Sequence, residues 1–581
     1  MGTSEFNFLP LAILVLSCVF AAETSVVQSS VQSPHDGKAL PTDHTTRLGL
    51  RMTVRDSEPL VQTTLGLVQG VKEIQGEVAV FAFRGIPFAE APLDKLRFMP
   101  PVPASPWNST LIANESRSEC VQWFGAGEED CLFLDIYVPQ TVLDVNSSLA
   151  SIVFIHGGGF MFGSTTPYGE AFPLLRHDVI VAMPQYRLGV LGFFSTDDEV
   201  APGNQGLQDQ TLALKFLHDN IANFGGDPQR VTIMGSSAGS VSAHFQMVTP
   251  AAQGLFSGVL LHSGSITAPW ALGRDFNKNA HTIAREFQCR ANSSEEIVDC
   301  LQQVNAHLLE DTLYLTMEWN GQPFCFAPRV DGQYIPAEPA RLLLDGDFTH
   351  VPVMMGTVRD EGAIEATELF YLPHFIQSLE ENFETNGPIS LMLYPDEDPV
   401  NTAYTVYDYY IDGNITSDQA DNLTRLYTDL FFHVPLDWAV EMMAEQVPVY
   451  LHELHHRGVN GYTNFYLEHG LNLSQAANWI AHGDDLQYIL RTPSELTTAD
   501  DIAVSDLYGE LWANFAKYGN PTPTADSSSL GFVWPTATAD DSRQFLRVTP
   551  APGLYPYYRS ASRDFWATLP LRINAIIAGG R

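Results

Sequence analysis

Basic residues are scarce in this chain of 581 residues, which has 30 lysines and arginines against 68 aspartates and glutamates. The formal net charge is −38. A chain this acidic repels the phosphates of nucleic acids and anionic membranes, so we expect no nucleic-acid partner. The charge does not decide the fold. Hydrophobic residues make up 45% of the chain, which is enough to build a large core.

Cysteines are also few, and the six that are present have no spacing typical of a zinc site. We therefore predict no metal. In an oxidising compartment, local pairing would close two loops of about ten residues each. The predicted pairs are Cys120 with Cys131 and Cys289 with Cys300. Cys325 remains as a buried thiol, and Cys18 belongs to an N-terminal apolar run.

Long hydrophobic runs are confined to the N-terminus, where residues 6–20 are mostly apolar and two alanines follow. The run is short for a bilayer span and ends in small residues, so we predict a signal peptide over residues 1–21. A signal anchor or a buried helix is the alternative. Residues 22–64 are rich in Ser, Thr, Gln and Pro, which predicts a flexible extension. The chain should be secreted, without a stable membrane anchor.

Seven Asn-x-Ser/Thr sequons fit a secreted glycoprotein. They are Asn108, Asn114, Asn146, Asn292, Asn414, Asn422 and Asn472.

Short apolar runs alternate with helical patterns along the rest of the chain. The candidate buried strands are residues 152–155, 179–183, 231–234, 259–261, 353–355 and 447–451. Residues 212–221 and 506–515 have the periodicity of helices. Continuous apolar strands between helices predict an α/β fold, with a mainly parallel twisted sheet and helices on both faces. Active sites of such folds lie at the carboxyl ends of the strands.

A Gly-x-Ser-x-Gly sequence follows the β-prone run Val231–Met234 and precedes a helix-compatible run. Gly235 and Gly239 would allow the chain to reverse sharply and expose the hydroxyl of Ser237 at the end of a strand. The N–H of Ala238 would then lie at the start of a helix. The motif fixes only three positions, and chance supplies roughly 0.2 copies in a chain of this length.

Three consecutive glycines, residues 157–159, lie between His156 and Phe160, directly after another candidate strand. Backbone N–H groups in such a loop can bind a developing oxyanion, each with a contribution of about 3 kcal/mol. The alternative is a structural role, in which glycines permit two loops to cross closely.

Together with these two motifs, several ordered segments resemble those of type-B carboxylesterases, the carboxylesterase/cholinesterase branch of the α/β-hydrolases. The additional segments are Phe-Arg-Gly-Ile-Pro-Phe-Ala-Glu (83–90), Arg-Phe (97–98), Glu-Asp-Cys-Leu-Phe-Leu (129–134), Gly-Asn-Gln-Gly-Leu-Gln-Asp-Gln (203–210), Asp-Glu-Gly (360–362) and His-Gly-Asp-Asp-Leu (482–486). The last of these resembles secreted invertebrate esterases. The likeness runs from about residue 65 to residue 570, and we assign residues 65–575 to one catalytic domain of the α/β-hydrolase fold.

The resemblance implies a catalytic triad of Ser237, Glu361 and His482, in the chain order that α/β-hydrolases use. It places the oxyanion hole at the N–H groups of Gly158, Gly159 and Ala238. It also implies a set of structural pairs, which are the disulfide Cys120–Cys131 and the ion pairs Arg97–Glu129 and Arg187–Asp209.

Without the resemblance, Glu361 and His482 would be ordinary loop residues. Asp360 is an equal candidate for the acid, and the chain has 17 histidines. His452 and His456 satisfy His-Glu-x-x-His, a zinc-protease pattern that requires a helix. The β-prone residues before His452 predict a strand, on which the two histidines would be roughly 13 Å apart, too far for one metal.

The expected function is therefore a serine carboxylesterase that hydrolyses a small-molecule ester without a cofactor. Ser236 stands where cholinesterases carry Glu and juvenile hormone esterases carry Gln, which argues against both specificities. Adhesion proteins related to cholinesterases are the alternative from another class, but they lack the nucleophilic serine and carry a membrane-spanning helix. A lipase would need a large apolar lid, and the sequence has no such segment.

Overall fold

The structure of the protein is a computed structural model that describes residues 52–55, 58–123, 125–143, 148–168, 171–490, 495–524 and 526–580. The predicted signal peptide, residues 22–51 of the predicted extension and the glycosylation candidate Asn146 lie outside the described residues.

Two β-sheets form the framework of the molecule. The smaller sheet contains β1 (Met52–Arg55), β2 (Glu58–Gln62), β3 (Leu67–Gln69) and β6 (Leu111–Ile112). The larger sheet contains β4 (Val71–Gln75), β5 (Val78–Pro87), β7 (Phe133–Pro139), β8 (Leu149–Ile155), β9 (Val179–Pro184), β10 (Gly226–Ser236), β11 (Gly258–His262), β12 (Val353–Val358), β13 (Val449–Leu454), β14 (Gln544–Val548) and β15 (Gly553–Pro556).

The larger sheet has the strand order β15-β14-β13-β12-β11-β10-β8-β9-β7-β5-β4. All neighbouring pairs from β14 to β9 are parallel, and antiparallel pairs occur only toward the two edges. Each of the six strands predicted from the sequence overlaps a strand of this parallel centre. The predicted mainly parallel sheet is confirmed.

Helices connect the strands. They are α1 (Phe172–Leu175), α2 (Gly189–Phe193), α3 (Gln205–Asn220), α4 (Ala238–Val248), α5 (Phe276–Glu286), α6 (Ser294–Leu301), α7 (Ala306–Glu310), α8 (Pro339–Asp345), α9 (Ala363–Tyr371), α10 (His374–Glu381), α11 (Phe383–Ser390), α12 (Pro399–Tyr410), α13 (Ala420–Thr428), α14 (Val434–Met443), α15 (Thr463–Glu468), α16 (Leu486–Ile489), α17 (Ala499–Tyr518), α18 (Ser560–Ala567) and α19 (Arg572–Gly580). Within the described ranges, no helix combines the length and the apolar character that a bilayer span requires.

The helices cover both faces of the larger sheet because its central strands are buried on both sides. In β10, Ile233 packs into the apolar core on one face and its neighbour Met234 into the core on the other. Helices α3 and α4 pack against β10, and α17, with its buried Trp512, packs against β8, β9 and β10. A strand buried on both faces needs a continuous apolar sequence, which is why these strands are visible in the sequence.

The carboxyl ends of three parallel strands carry the predicted functional residues. His156 follows β8, Ser237 follows β10 and Glu361 follows β12. Because β10 pairs with β8, and β11 lies between β10 and β12, these three chain segments meet at one edge of the sheet. The topology therefore positions the candidate site.

The predicted flexible extension ends earlier than residue 64. Residues 52–55 and 58–62 form β1 and β2, and Val61 is fully buried in the core. β2 continues the smaller sheet by pairing with β3. Polar residues outnumber apolar ones in this stretch, and the two buried positions of β2 are too few to produce a visible alternation in the sequence.

Two disulfides join Cys120 to Cys131 and Cys289 to Cys300, the same pairs that the sequence predicts. Cys325 is a buried free cysteine, and burial raises the pKa of its thiol. A protonated, buried thiol is a weak nucleophile, which fits the structural role expected for Cys325.

A buried network of charges attaches the C-terminal part of the chain to the sheet. The guanidinium of Arg559 lies 2.7 Å from the carboxylate of Asp437 and 2.7 Å from that of Glu453. Burial acts to raise the pKa of Glu453, but the hydrogen bond with His455 and the charges of His433 and Arg559 lower it to about 2. Since this pKa is lowered from 4.5, the stabilisation is complete above pH 4.5 and is lost as the pH falls toward 2.

We expect Arg559→Ala to destabilise the protein by about 3–5 kcal/mol, because it leaves two buried carboxylates without their shared cation. Arg341→Ala is the matched control. Arg341 pairs with Asp345 on the surface of α8, and both side chains are more than 40% exposed, so its loss should change stability by less than about 1 kcal/mol. Thermal and urea unfolding of both variants measure the difference, and equal stabilities would contradict the structural role of Arg559.

Candidate active site

Ser237 occupies the sharp turn between the end of β10 and the start of α4. Its backbone angles are φ 58° and ψ −126°, a conformation that costs a residue with a side chain about 1–3 kcal/mol. The N–H of Ser237 donates to the carbonyl oxygen of His262 at the end of β11 (2.8 Å), which holds the turn in place. This geometry is the strained elbow that the sequence predicts.

The glycines of the motif permit a close approach of three chain segments. A Cβ atom on Gly235 would lie 2.0 Å from the carbonyl oxygen of Gly239. One on Gly239 would lie 2.1 Å from the carbonyl oxygen of Ile155, at the end of β8. Real Cβ atoms do not approach backbone oxygens this closely, so both positions require glycine for packing. The elbow is therefore pressed directly against β8.

The triple-glycine loop that follows β8 lies beside Ser237, since a Cβ on Gly157 would be 2.9 Å from the Cβ of Ser237. Gly158 and Gly159 have φ values of 112° and 58°, which few other residues adopt. In the described part of the chain, the N–H groups of Gly158 and Gly159 have no hydrogen-bond acceptor. Together with the N–H of Ala238 at the first position of α4, they are available to a ligand atom near Ser237.

His156 anchors the triple-glycine loop. The hydroxyl of Tyr186 donates to the carbonyl oxygen of His156 (2.8 Å), and the two rings stack with centroids 4.4 Å apart. The Nδ1–H of His156 donates to the carbonyl oxygen of Gly157 (2.9 Å). Burial lowers the pKa of His156 to about 4, so its ring is neutral at pH 7. Its role in the structure is to hold the loop.

His482 and Glu361 form a close pair. The Nδ1–H of His482 donates to Oε2 of Glu361 (2.6 Å), and the N–H of Val358 donates to Oε1 of the same carboxylate (2.9 Å). Glu361 is fully buried, whereas part of the His482 side chain remains accessible. Because Glu361 holds Nδ1, the Nε2 atom of His482 is directed away from the carboxylate and is free to take a proton.

No hydrogen bond joins Ser237 to His482 in the described part of the chain, but a short buried bridge links their segments. The carbonyl oxygen of His262 accepts from the N–H of Ser237, and Nδ1–H of His262 donates to Asp485 Oδ2 (2.8 Å). Asp485 is three residues after His482, and Trp512 Nε1 donates to the other ring nitrogen of His262 (2.7 Å). Catalytic hydrogen bonds often shorten only when substrate binds.

Sequence reasoning missed this His262–Asp485 bridge, although Asp485 belongs to the His-Gly-Asp-Asp-Leu segment. The second aspartate of that segment was the signal that could have indicated a buried partner, since a buried carboxylate needs a hydrogen bond.

Two further carboxylates hold the loop that carries His482. Asp360, the rival candidate for the catalytic acid, accepts from the N–H of Ile480 (2.9 Å) and pairs with Arg359. Asp484 accepts from the N–H groups of Tyr462 and Ala481. The structure thus brings Glu361, not Asp360, to the imidazole.

Aromatic side chains lie beside His482 and beside Gly159. Five residues between α13 and α14, Asp429–His433, form a wider helical turn of the kind often found at functional sites. This turn presents Phe432 against the ring of His482, with centroids 4.6 Å apart. On another side, Phe324 lies close to Gly159, where an added Cβ would be 3.6 Å from its ring.

Both ion pairs implied by the family resemblance are present. Arg97 binds Glu129 through two hydrogen bonds of 2.6 and 2.7 Å, and Arg187 binds the fully buried Asp209 in the same way at 2.7 and 2.8 Å. Each arginine also donates to backbone carbonyl oxygens of other segments. These contacts cross-link the chain around the site.

The His-Glu-x-x-His sequence lies on a strand and not on a helix. His452 and Glu453 belong to β13, and His456 lies beyond its end, where Nε2 contacts Asp501 (2.7 Å). His452 packs against Gly356 on the neighbouring strand. In the ranges that the structure describes, no group of three histidine, cysteine or acidic side chains is arranged to hold a metal ion.

The model of the carboxylesterase family matches residues 57–566. The chain belongs to the carboxylesterase family. This result confirms the resemblance found in the sequence and the α/β-hydrolase fold. It also makes the protein a carboxylic ester hydrolase, and it does not support the alternative of an adhesion protein.

Curated relatives are similar in sequence to this carboxylesterase over most of its length. It is 33% identical to the juvenile hormone esterase of Tribolium castaneum over 85% of this chain and 89% of the relative. It is 30% identical to venom carboxylesterase-6 of Apis mellifera, over 89% of this chain and 95% of the relative. It is 28% identical to the acetylcholinesterase of Leptinotarsa decemlineata, over 91% of this chain and 89% of the relative.

Proposed function

We propose that this carboxylesterase hydrolyses small carboxylic esters through an acyl-enzyme intermediate. In this proposal Ser237 is the nucleophile, His482 is the general base and then the general acid, and Glu361 orients the imidazole. The N–H groups of Gly158, Gly159 and Ala238 form the oxyanion hole.

The observation that carries the proposal is the pair of His482 and Glu361 at the edge of the sheet where the Ser237 elbow also lies. A fully buried carboxylate 2.6 Å from Nδ1 favours the tautomer with its proton on Nδ1. The lone pair of Nε2 is then available to accept the serine proton. The same carboxylate stabilises the imidazolium that forms when the proton arrives.

The reaction has two halves. In the first, Ser237 Oγ attacks the ester carbonyl carbon while His482 takes its proton, and the negative charge on the carbonyl oxygen binds the three N–H groups. The C–O bond to the alcohol then breaks, and the alcohol leaves with the proton from His482. In the second half, water gives a proton to His482 and attacks the acyl-enzyme, and collapse of the intermediate returns the proton to Ser237 as the acid departs. Apart from the ester and water, each step uses only groups of the chain.

The strained elbow supports this mechanism because it keeps the nucleophile in position before substrate binds. The closely packed glycines fix Ser237 relative to the oxyanion loop, so little rearrangement is needed to reach the transition state. Two anchored loops and a rigid turn are what preorganised acyl transfer requires.

We also propose that the protein is secreted and glycosylated. Of the six candidate sites that the structure describes, five are exposed, which are Asn108, Asn114, Asn292, Asn414 and Asn472. Asn422 is half-buried on α13 and donates to Gln419 (2.8 Å), so we expect it to remain unmodified. Peptide mass spectrometry of protein secreted from insect cells, before and after enzymatic deglycosylation, identifies the asparagines that carry glycans. The same spectra show whether residues 1–21 have been removed, and their retention would contradict the predicted cleavage.

Ser237→Ala should abolish labelling by a fluorophosphonate probe and lower kcat for p-nitrophenyl butyrate by about 10⁶-fold, to the background rate. The wild-type protein should carry the probe on the peptide that contains Ser237. Ser236→Ala is the matched control, because it removes a neighbouring hydroxyl that takes no part in the proposed reaction. Labelling of the Ser237→Ala variant, or equal turnover by both proteins, would overturn the proposal.

Glu361→Gln should lower kcat by about 10⁴-fold, since an amide donates to Nδ1 and favours the wrong tautomer. Asp360→Asn is the control at the adjacent position and should retain most activity, because Asp360 binds backbone and Arg359 instead of His482. Steady-state kinetics on one ester compare the two variants. A larger loss of kcat in Asp360→Asn than in Glu361→Gln would contradict the assignment of Glu361 to the triad.

A further inference from the structure

A second carboxyl group lies beside the proposed triad and takes no part in it. Glu365 is on α9, one helical turn after Glu361, and is only half-buried. Its Oε2 accepts a hydrogen bond of 3.4 Å from Nδ2 of Asn320. Asn320 belongs to the same loop as Phe324, the ring that lies close to Gly159. Glu365 therefore connects the helix that follows Glu361 to the loop that carries Phe324.

The electrostatic influence of His482 indicates that Glu365 lies near it. Burial raises the pKa of Glu365 to about 7, and the nearby charge of His482 acts in the opposite direction. Part of the Glu365 side chain is accessible, but burial of its carboxyl group disfavours the charged form. This combination is that of a carboxyl group facing an enclosed space.

Among the residues that the structure describes, Glu365 forms no ion pair with a lysine or arginine. The next acid on the same helix, Glu368, is 2% exposed, and its Oε1 has no hydrogen-bond partner in the described part of the chain. Oδ1 of Asn320, which is also buried, has none either. The ionised carboxylates of Glu365 and Glu368 and the amide oxygen of Asn320 can only accept hydrogen bonds. None of the three is paired with a lysine or arginine in the described part of the chain.

The other helices packed around α9 add hydroxyl groups near Glu365, and the arginine of α13, Arg425, is exposed and lies over the ring of Tyr410. Tyr407 of α12 and Tyr427 of α13 are buried, share a hydrogen bond of 3.1 Å and are influenced by the charge of Glu365. On α15, Tyr466 packs on Tyr371 farther along α9. The ionisable residues of α10 are exposed on the surface, and they are His374, Glu380 and Glu381. The positive charge that acts on the pKa of Glu365 is that of His482.

We propose that Glu365 is a specificity-determining residue that gives the pocket a preference for esters carrying a positively charged group. The proposal rests on the proposed function, because it assigns a substrate class to the same site. A cationic group held against Glu365 would replace the missing counter-charge and could also contact Oδ1 of Asn320.

The pH dependence of the preference follows from the direction of titration. A carboxyl with a pKa of about 7 is largely neutral below pH 6 and charged above pH 8. A bound cation favours the charged form and so lowers this pKa. The preference for a cationic ester should therefore rise as the pH increases.

Two pairs of substrates test the proposal, each consisting of a quaternary ammonium ester and its uncharged carbon isostere. Butyrylcholine and 3,3-dimethylbutyl butyrate carry the group on the alcohol, whereas the p-nitrophenyl esters of 4-(trimethylammonio)butanoic acid and 5,5-dimethylhexanoic acid carry it on the acid. For one pair, the ratio of kcat/KM for the charged to the neutral ester should fall at least about 10-fold in Glu365→Gln. The pair that responds identifies which side of the ester faces Glu365.

The control is Glu384→Gln, which removes the same charge from an exposed position of α11 and should leave both ratios unchanged. Turnover of the neutral isosteres by Glu365→Gln reports that the variant is folded. If it does not fold, the ratio measured for the wild-type protein between pH 6 and pH 8 still decides, because it must rise with pH. Ratios that are insensitive to both the substitution and pH would overturn the proposal, whereas loss of all ester turnover in the wild-type protein would overturn the proposed function instead.

Discussion

The contact of the elbow with β8 is the constraint on which the rest of the site depends. Gly239 lies so close to the carbonyl oxygen of Ile155 that no side chain fits between them. This contact sets the distance from Ser237 to the loop that leaves β8, and hence to Gly158 and Gly159. A small widening at this point would separate Ser237 from the N–H groups that we propose as its oxyanion hole. The parallel sheet, buried on both faces, supplies the rigidity that keeps the gap closed.

The loop of His482 shows how a segment without regular secondary structure can be held rigidly. Asp360 and Asp484 bind its backbone N–H groups, and Asp485 binds His262 on the neighbouring strand. Three buried or half-buried carboxylates therefore fix one short loop, where a helix or strand would use backbone hydrogen bonds. Backbone amides, the imidazole of His262 and the guanidinium of Arg359 serve as the partners of these acids. This arrangement preorganises the histidine that Glu361 orients.

Much of this framework was visible in the sequence, since the doubly buried strands are continuous apolar runs and the elbow has a strand–turn–helix context. The pairing of Glu361 with His482 was predicted from the family resemblance alone, because local patterns gave Asp360 equal standing. The His262–Asp485 bridge was missed since its partners are 223 residues apart. Strands β1 and β2 were missed because Val61 and Pro59 are the only fully buried positions of β2, which leaves too little pattern in a polar stretch. Features that arise from long-range contacts of single polar side chains leave no periodic trace in a sequence.

The cation that neutralises Asp437 and Glu453 comes from far along the chain, since Arg559 is 122 and 106 residues beyond them. During translation at 5–20 residues per second, the ribosome needs roughly 5–20 s to synthesise the intervening segment after Glu453. Until β14 has been made, β13 is an edge strand, and its Glu453 lacks the guanidinium of Arg559 for the whole interval. The nascent chain therefore has an unpaired sheet edge for a defined period, and an unpaired edge can pair with another chain.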